Sequence, residues 1–237
     1  MIFKYDISDL RPLIAWPYFN YAWGVAKASD VEKESLHKDA EAMLDRWQGR
    51  HHSISKILDL PAYSVGDDII IGDVVVPMLR QQTDEFLSLA DFVMPKELGV
   101  GNIGVFATTF GDDIPELQST DYYESMMSQV LCDRLAEATA EKVSEEMPGI
   151  RPAVGYPSIP DMSINFIIDK IIDFSSIGIK LTETGMMIPH ASVSGLIFPH
   201  PRAHYFNISK IGEDQLIDYA ARRGYSIEEM RKFIRNN

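Results

Sequence analysis

The stretch Arg151-Pro152-Ala153-Val154-Gly155-Tyr156-Pro157 is the most distinctive part of this 237-residue chain. Its two prolines hold the residues before them, Arg151 and Tyr156, away from helical geometry, and Gly155 allows the backbone to pass close to a ligand. The segment is therefore predicted to be extended and stiff, and to present one guanidinium and one phenol. Two interpretations are open from these residues alone: a structural turn with a surface arginine, or part of a binding site.

Strand-like and helix-like segments flank this stretch in separate blocks. From residue 53 to about 109, β-branched runs are separated by Gly and Asp, which predicts short strands joined by turns. Apolar residues at near-helical spacing predict helices over 33–47, 121–146, 164–174, 213–223 and 226–235. Residues 177–208 are strand-like. Because the blocks lack a βαβ rhythm, the sequence predicts an α+β fold.

The bulk composition is that of a globular protein, with 46% apolar and 24% charged residues. No long linker-like stretch interrupts it, so we expect a single domain over residues 1–237. The start has no basic segment followed by an apolar run, and no internal run is long and apolar enough to span a membrane, so a cytoplasmic protein is expected. The single cysteine, Cys132, lies in a helical pattern and is predicted to be a buried thiol.

The net charge of -13 argues against nucleic acid or an anionic membrane surface as the main partner. The C-terminal stretch from residue 202 onwards is the exception, because basic residues outnumber acidic ones there. Its helical part contains Arg222, Arg223, Arg231, Lys232 and Arg235. This stretch is interpreted either as a solvated helix face or as a contact surface for an acidic protein.

Three other signals favour structural roles over chemical ones. Residues 99–104 have dinucleotide-binding spacing, but a poor strand precedes them and a poor helix follows, which favours turn glycines. His200 and His204 are four residues apart, yet the flanking prolines exclude a helix, so a metal site is the weaker interpretation. Ser192 and Ser194 lie outside any nucleophile-elbow pattern and are interpreted as ordinary strand serines.

The 151–157 stretch resembles the R-P-x-x-G-Y-P motif of the activation domain of cobalamin-dependent methionine synthase. The resemblance covers most of the chain, because several further blocks follow in the right order. They are residues 16–23, 79–83, 89–96, 133–138, 181–183, 191–195, 200–201, 214–215 and 218–220. The resemblance implies a mainly antiparallel, bent sheet flanked by helices.

The same resemblance implies a site for S-adenosylmethionine (AdoMet) beside cobalamin. The matching positions are Asp91, Glu137, Arg151, Ala153, Gly155, Tyr156, Tyr205 and Phe206. Arg151 suits the ligand carboxylate, since a guanidinium binds carboxylates bidentately, and Asp91 and Glu137 suit its positive groups. Tyr205 and Phe206 offer rings to the adenine or the sulfonium.

The remaining implied positions serve the site in other ways. Ala153 and Gly155 would line it through backbone, and Tyr156 would lie beside the cobalamin face. The chain also differs from the family pattern: Phe206 replaces the second tyrosine of a pair, which removes a phenol but keeps a ring. Thr184-Gly185 stands where the family usually has Ser-Phe.

The implied function is reductive methylation, or reactivation, of cobalamin held by a partner, in methionine biosynthesis. The chain has no cobalamin-binding D-x-H-x-x-G signature, so the partner is expected to be a cobalamin-binding methionine synthase or related corrinoid protein. A flavodoxin-like electron donor is also implied. Two alternatives stay open: a non-catalytic docking or regulatory subunit, and AdoMet-dependent methylation of another corrinoid protein.

Overall fold

A six-stranded antiparallel sheet forms the centre of the computed structural model, which describes residues 1–82, 85–111 and 113–234. Its strands are β1 (Ile2–Asp6), β2 (His52–Val65), β3 (Asp68–Ile71), β4 (Val74–Pro77), β5 (Gly101–Thr109) and β8 (Ser192–Ile197). The order is β4-β3-β2-β5-β8, and β1 pairs with the first part of β2 while β3 pairs with its last part. Two short strands, β6 (Lys180–Leu181) and β7 (Met187–Ile188), form a separate hairpin.

Helices cover both faces of the sheet. They are α1 (Ile7–Leu10), α2 (Trp16–Ala22), α3 (Asp30–Trp47), α4 (Tyr122–Glu146), α5 (Ile164–Ile172), α6 (Glu213–Arg223) and α7 (Ile227–Phe233). Side chains alternate along β5, so Phe106 joins the core beneath α3 and α4 while Val105 and Ala107 join the core beneath α5. The sheet thus carries a separate apolar layer on each side.

The predicted α+β class with an antiparallel sheet is confirmed, and each of the five predicted helices is present. Residue 235 of the last predicted helix lies outside the described residues, as does Thr83 of the block at 79–83. The strand β1 and the helix α2 were not predicted. Helix α2 begins at Trp16, and Pro17 lies in its first turn, where a proline costs no hydrogen bond.

The prediction of strand-like structure over 177–208 is wrong for most of that range. Only β6, β7 and β8 form there, and residues 199–212 contain no strand. Pro199 and Pro201 lack the N–H that a strand ladder needs, which ends regular pairing just after β8. The chain then crosses the molecule in an irregular path that becomes important for the site.

The other sequence signals mostly have structural roles. Gly99 has a φ of 130° in the turn before β5, as predicted, whereas Gly101 and Gly104 lie within β5, which corrects the prediction of turn glycines for those two. Cys132 is buried, as predicted, and burial raises the pKa of its thiol. In the part of the chain that the structure describes, no helix has the length and apolar character needed to cross a membrane.

Three arginines of the basic C-terminal stretch are used inside the fold. Arg222 forms ion pairs with Asp68 and Asp218, Arg223 with Asp161, and Arg231 with Glu213. Arg222 therefore joins α6 to strand β3, and Arg231 joins α7 to α6. Arg235 lies outside the described residues.

Candidate functional site

The segment 151–157 lies directly on strand β8. The Val154 N–H donates to the Ser194 carbonyl at 2.9 Å, and the Leu196 N–H donates to the Pro152 carbonyl at 3.2 Å. Gly195 makes this approach feasible, because a Cβ there would overlap the Pro152 carbonyl oxygen and lie 2.9 Å from the Ala153 Cα. A glycine in the edge strand therefore sets the position of the whole segment.

The segment is extended only at its start, which corrects the prediction of a uniformly extended stretch. After Ala153 the chain turns, and Gly155 takes a left-handed φ of 84° while its N–H donates to the Ile159 carbonyl at 2.8 Å. Gly155 therefore serves to form this turn, because glycine adopts a left-handed φ without steric cost. This turn brings Tyr156 back toward helix α4.

Helix α4 presents three polar side chains to the segment at positions i, i+4 and i+7. The Tyr156 hydroxyl donates a short hydrogen bond to the Glu137 carboxylate. The Arg151 Nη2 lies 2.8 Å from Glu141 Oε2, and its Nε donates to Ser144 Oγ at 3.3 Å. One helix face therefore fixes both the guanidinium and the phenol that the sequence singled out.

The irregular chain after β8 closes the site from the other side. The Arg151 backbone N–H donates to the Tyr205 hydroxyl oxygen at 2.9 Å, although the Tyr205 residue is 61% exposed. The Ser158 hydroxyl donates to the Phe206 carbonyl, and the ring of Phe206 lies 6.2 Å from that of Phe92. Residues 205 and 206 are thereby held against the 151–158 segment.

These elements enclose a cavity of about 570 Å³, within the usual range for small-molecule sites. Its walls are formed by Glu137, Arg151, Pro152, Ala153, Tyr156, Pro157, Ser158, Tyr205, Phe206 and Asn207. Six of the eight positions named from the sequence line it. Gly155 lies between two turn residues at its edge and is not part of the wall.

Asp91 is the other position outside this cavity. Its carboxylate forms a two-point ion pair with Arg80, at 2.7 and 2.8 Å, and accepts the Ser88 N–H at 2.9 Å. Burial opposes ionisation, but the hydrogen bonds from Arg80 and Ser88 outweigh it, and the pKa of Asp91 lies below its ordinary value. The link to the cavity runs through the next residue, Phe92, which contacts Phe206.

Two more cavities share part of the same wall. One, of about 560 Å³, lies toward Leu13 and Tyr18, and the other, of about 220 Å³, lies toward Met186 and His190. Glu137 and Tyr156 line all three cavities. The hydrogen-bonded pair is therefore a partition with open space on either side.

Sequence reasoning missed several polar groups of this region. Glu141 and Ser144 follow Glu137 at helical spacing, and this was the available signal for them. Arg134 lines both the cavity of about 560 Å³ and the cavity of about 220 Å³, and its guanidinium lies 6.0 Å from the centre of the Tyr18 ring. Its Nε is buried without a hydrogen-bond partner in the described part of the chain.

The histidines and serines considered from the sequence make local contacts. His200 Nδ1 accepts the Arg202 N–H at 3.2 Å, and His204 Nε2 lies 3.3 Å from Glu85 Oε2. Ser192 and Ser194 hydroxyls donate to Thr109 Oγ1 and Asn165 Oδ1, as expected for strand serines. Among the described residues, no group of three or more His, Cys, Asp or Glu side chains is arranged to hold a metal ion.

The fold and the cavity define an α+β module with a cavity of small-molecule size, around which lie a fixed guanidinium, a carboxylate and aromatic rings. Comparison with known families identifies it further: the family described as vitamin B12 dependent methionine synthase, activation domain, matches residues 6–148 and 143–224. The chain belongs to this family, as its 151–157 motif predicted.

A solved structure supports the same assignment. The chain is similar to the MetH reactivation domain, solved bound to AdoHcy, with 33% sequence identity and a TM-score of 0.85. The match covers 98% of this chain and 88% of the solved one. Because nearly the whole of both chains is aligned, the similarity includes the sheet, α4 and the segment that forms the cavity.

Proposed function

We propose that this chain binds AdoMet in the 570 Å³ cavity and supports reductive methylation of cobalamin held by a partner protein. The observation that carries the proposal is the state of Arg151. Its Nε and Nη2 are engaged by helix α4, whereas in the described part of the chain Nη1 has no hydrogen-bond acceptor. A guanidinium fixed in this way beside a cavity suits a ligand carboxylate.

The other walls of the cavity suit the remaining parts of AdoMet. Glu137 supplies negative charge for the ammonium or the sulfonium, and the rings of Tyr205 and Phe206 offer faces to the adenine or the sulfonium. Ala153 contributes backbone to the wall, and Gly155 shapes the turn behind it. The relative bound to AdoHcy, the demethylated form of AdoMet, makes this ligand class the favoured one.

Asp91 stays a proposed contact at the edge of this site. Its side chain is 35% exposed, and the adjacent Phe92 packs against Phe206. A ligand that extends past Phe206 would approach the Asp91 carboxylate. Its cationic end would then share that carboxylate with Arg80.

In the proposed reaction, the protein contributes mainly by positioning the two reactants and not by transferring protons. AdoMet, when bound, supplies a methyl group on a sulfonium that leaves as a neutral thioether, and the reduced cobalamin supplies the nucleophile. No general base is required, and holding donor and acceptor in line is the main contribution that residues can make. Tyr156, held by Glu137 at the partition between the cavities and 47% exposed, is proposed to lie beside the cobalamin face.

The partner, in this proposal, is a cobalamin-binding methionine synthase or a related corrinoid protein, and a flavodoxin-like protein donates the electron. We further propose that residues 1–237 act as one domain in the cytoplasm, as the sequence predicts. The net charge of -13 favours protein partners over nucleic acid or anionic membranes.

Calorimetric titration with AdoMet tests the binding step. We expect one site in the wild-type chain and a loss of roughly 10- to 100-fold in affinity for Arg151→Ala, since a hydrogen bond to a charged group contributes about 1.5–3 kcal/mol. Arg46→Ala is the matched control, because Arg46 is 49% exposed and pairs with Glu124, away from the cavity. No binding heat in the wild type would refute AdoMet binding and favour a docking subunit.

A second experiment tests the methylation step. The chain is mixed with AdoMet, reduced flavodoxin and a methionine synthase lacking its own activation domain, and methylcobalamin formation is followed by absorbance. Methylation that depends on the added chain supports the proposal. Methylation of a different corrinoid protein, with none of methionine synthase, would favour the alternative acceptor.

A further inference from the structure

Helix α4 holds the Arg151 guanidinium from one side with two acceptors. Glu141 Oε2 lies 2.8 Å from Nη2, Ser144 Oγ lies 3.3 Å from Nε, and the Phe106 ring lies 5.6 Å from the guanidinium carbon. The Arg151 side chain is only 11% exposed as a result. Nη1 is the one guanidinium nitrogen without an acceptor in the described residues.

We propose that Glu141, assisted by Ser144, is a positioning residue that sets the orientation of Arg151 for the ligand carboxylate. The inference rests on the proposed binding of AdoMet in the cavity. An unrestrained arginine side chain samples many rotamers and loses that freedom when it binds. Contacts that already fix Nε and Nη2 lower this cost, because the guanidinium is oriented before the ligand arrives.

The positioning role of Glu141 has a specific consequence for ligand recognition. Glu141 acts only through Arg151, so it matters only for ligands that carry the carboxylate. The nucleoside part of the ligand contacts other walls and is independent of Glu141. Glu141 thus contributes to discrimination between AdoMet and nucleosides that lack the amino acid group.

The positioning role of Glu141 can be tested in variants that still fold. The Glu141 side chain is 62% exposed, and Arg151 keeps its contact with Ser144 when Glu141 is replaced, so Glu141 variants are expected to fold. Glutamine keeps a carbonyl oxygen that can accept from Nη2, whereas alanine does not. Glu145 is a matched control on the same helix, because it is 58% exposed and pairs with Lys142 at 2.7 Å.

The test is a calorimetric comparison of AdoMet with 5′-methylthioadenosine, which lacks the carboxylate and the ammonium. For Glu141→Ala we expect AdoMet affinity to fall about tenfold, equivalent to about 1.4 kcal/mol. Its affinity for 5′-methylthioadenosine should equal that of the wild type. Glu141→Gln should bind AdoMet like the wild type, and Glu145→Ala should change neither ligand.

Three results would overturn this inference: unchanged AdoMet binding in Glu141→Ala, equal weakening of both ligands, or failure of Glu141→Gln to restore affinity. In the Arg151→Ala background, Glu141→Ala should add no further loss, because both act on one contact. If wild type binds AdoMet and Arg151→Ala weakens it while Glu141→Ala does not, only the positioning role fails. If the wild type does not bind AdoMet, the proposed function fails first and this inference falls with it.

Discussion

Replacing Gly195 by alanine tests how the site segment is attached to the sheet. The added Cβ would overlap the Pro152 carbonyl oxygen and lie 2.8 Å from the Phe106 ring and 2.9 Å from the Ala153 Cα. Two of these neighbours are backbone and cannot rotate away. The segment that carries Arg151 must therefore move off β8 in this variant.

The cost follows from what that displacement breaks. Two backbone hydrogen bonds join the segment to β8, at 2.9 and 3.2 Å, and each contributes about 0.5–1.5 kcal/mol. Overpacking a close-packed interior costs about 1–3 kcal/mol. We expect Gly195→Ala to lower the free energy of unfolding by roughly 2–4 kcal/mol, since the two costs partly overlap.

Urea unfolding followed by circular dichroism measures this loss, and AdoMet titration measures its effect on the site. Gly101→Ala is the control, because its added Cβ would lie 3.1 Å from the Met94 Cβ and no closer to any other neighbouring atom, away from the segment. We expect weaker AdoMet binding in Gly195→Ala only. A loss of less than about 1 kcal/mol together with unchanged binding would refute the attachment described here.

Three further predictions concern buried and paired groups. Asp161→Ala should lower the free energy of unfolding by about 3–5 kcal/mol, because Arg223, whose side chain is 6% exposed, would lose its buried partner; a change below about 1 kcal/mol in urea unfolding would contradict this. Because the pKa of Asp91 is lowered in the fold, the stability it contributes is present above its unfolded pKa of about 4 and is lost as pH falls through the lower folded value. The stability difference between wild type and Asp91→Asn should therefore shrink in acid, and a difference independent of pH would be contrary to this prediction. Burial raises the pKa of Cys132, so a thiol reagent should label it only upon unfolding, and rapid labelling of the native chain would exclude the buried thiol.

Much of the fold could be predicted from local sequence pattern. The apolar spacing in 121–146 gives α4 directly, and the β-branched runs before residue 109 give β2 to β5. Helix α2 was not predicted, although the first helical turn accepts proline and Pro17 lies there. Residues 199–212 form no strand because Pro199 and Pro201 lack the N–H that a strand ladder needs. Both prolines are visible in the sequence, so this break in the strand-like region could have been predicted.

The site was predictable only in part, since it depends on tertiary register. The 151–157 motif identified Arg151 and Tyr156, and the family resemblance added Glu137 and the ring pair. The choice of Glu141 and Ser144 as partners of Arg151 follows from how α4 sits against the segment, and local sequence does not encode that placement.

Asp91 is a site position that the family resemblance identifies, but its ion-pair partner could not be predicted from the sequence. Its position matches the family pattern, but the structure pairs its carboxylate with Arg80, eleven residues earlier, at 2.7 and 2.8 Å. Sequence patterns report which residue types are present, while the pairing of charges depends on the loop that brings them together. The ligand role of Asp91 is therefore a prediction for experiment.

A crystal structure of the chain with AdoHcy tests the proposed ligand site most directly. The proposal predicts the ligand carboxylate within hydrogen-bond distance of the Arg151 guanidinium, and the nucleoside against the rings of Tyr205 and Phe206. Ligand density elsewhere on the molecule, with the space between Glu137 and Tyr205 left empty, would contradict it.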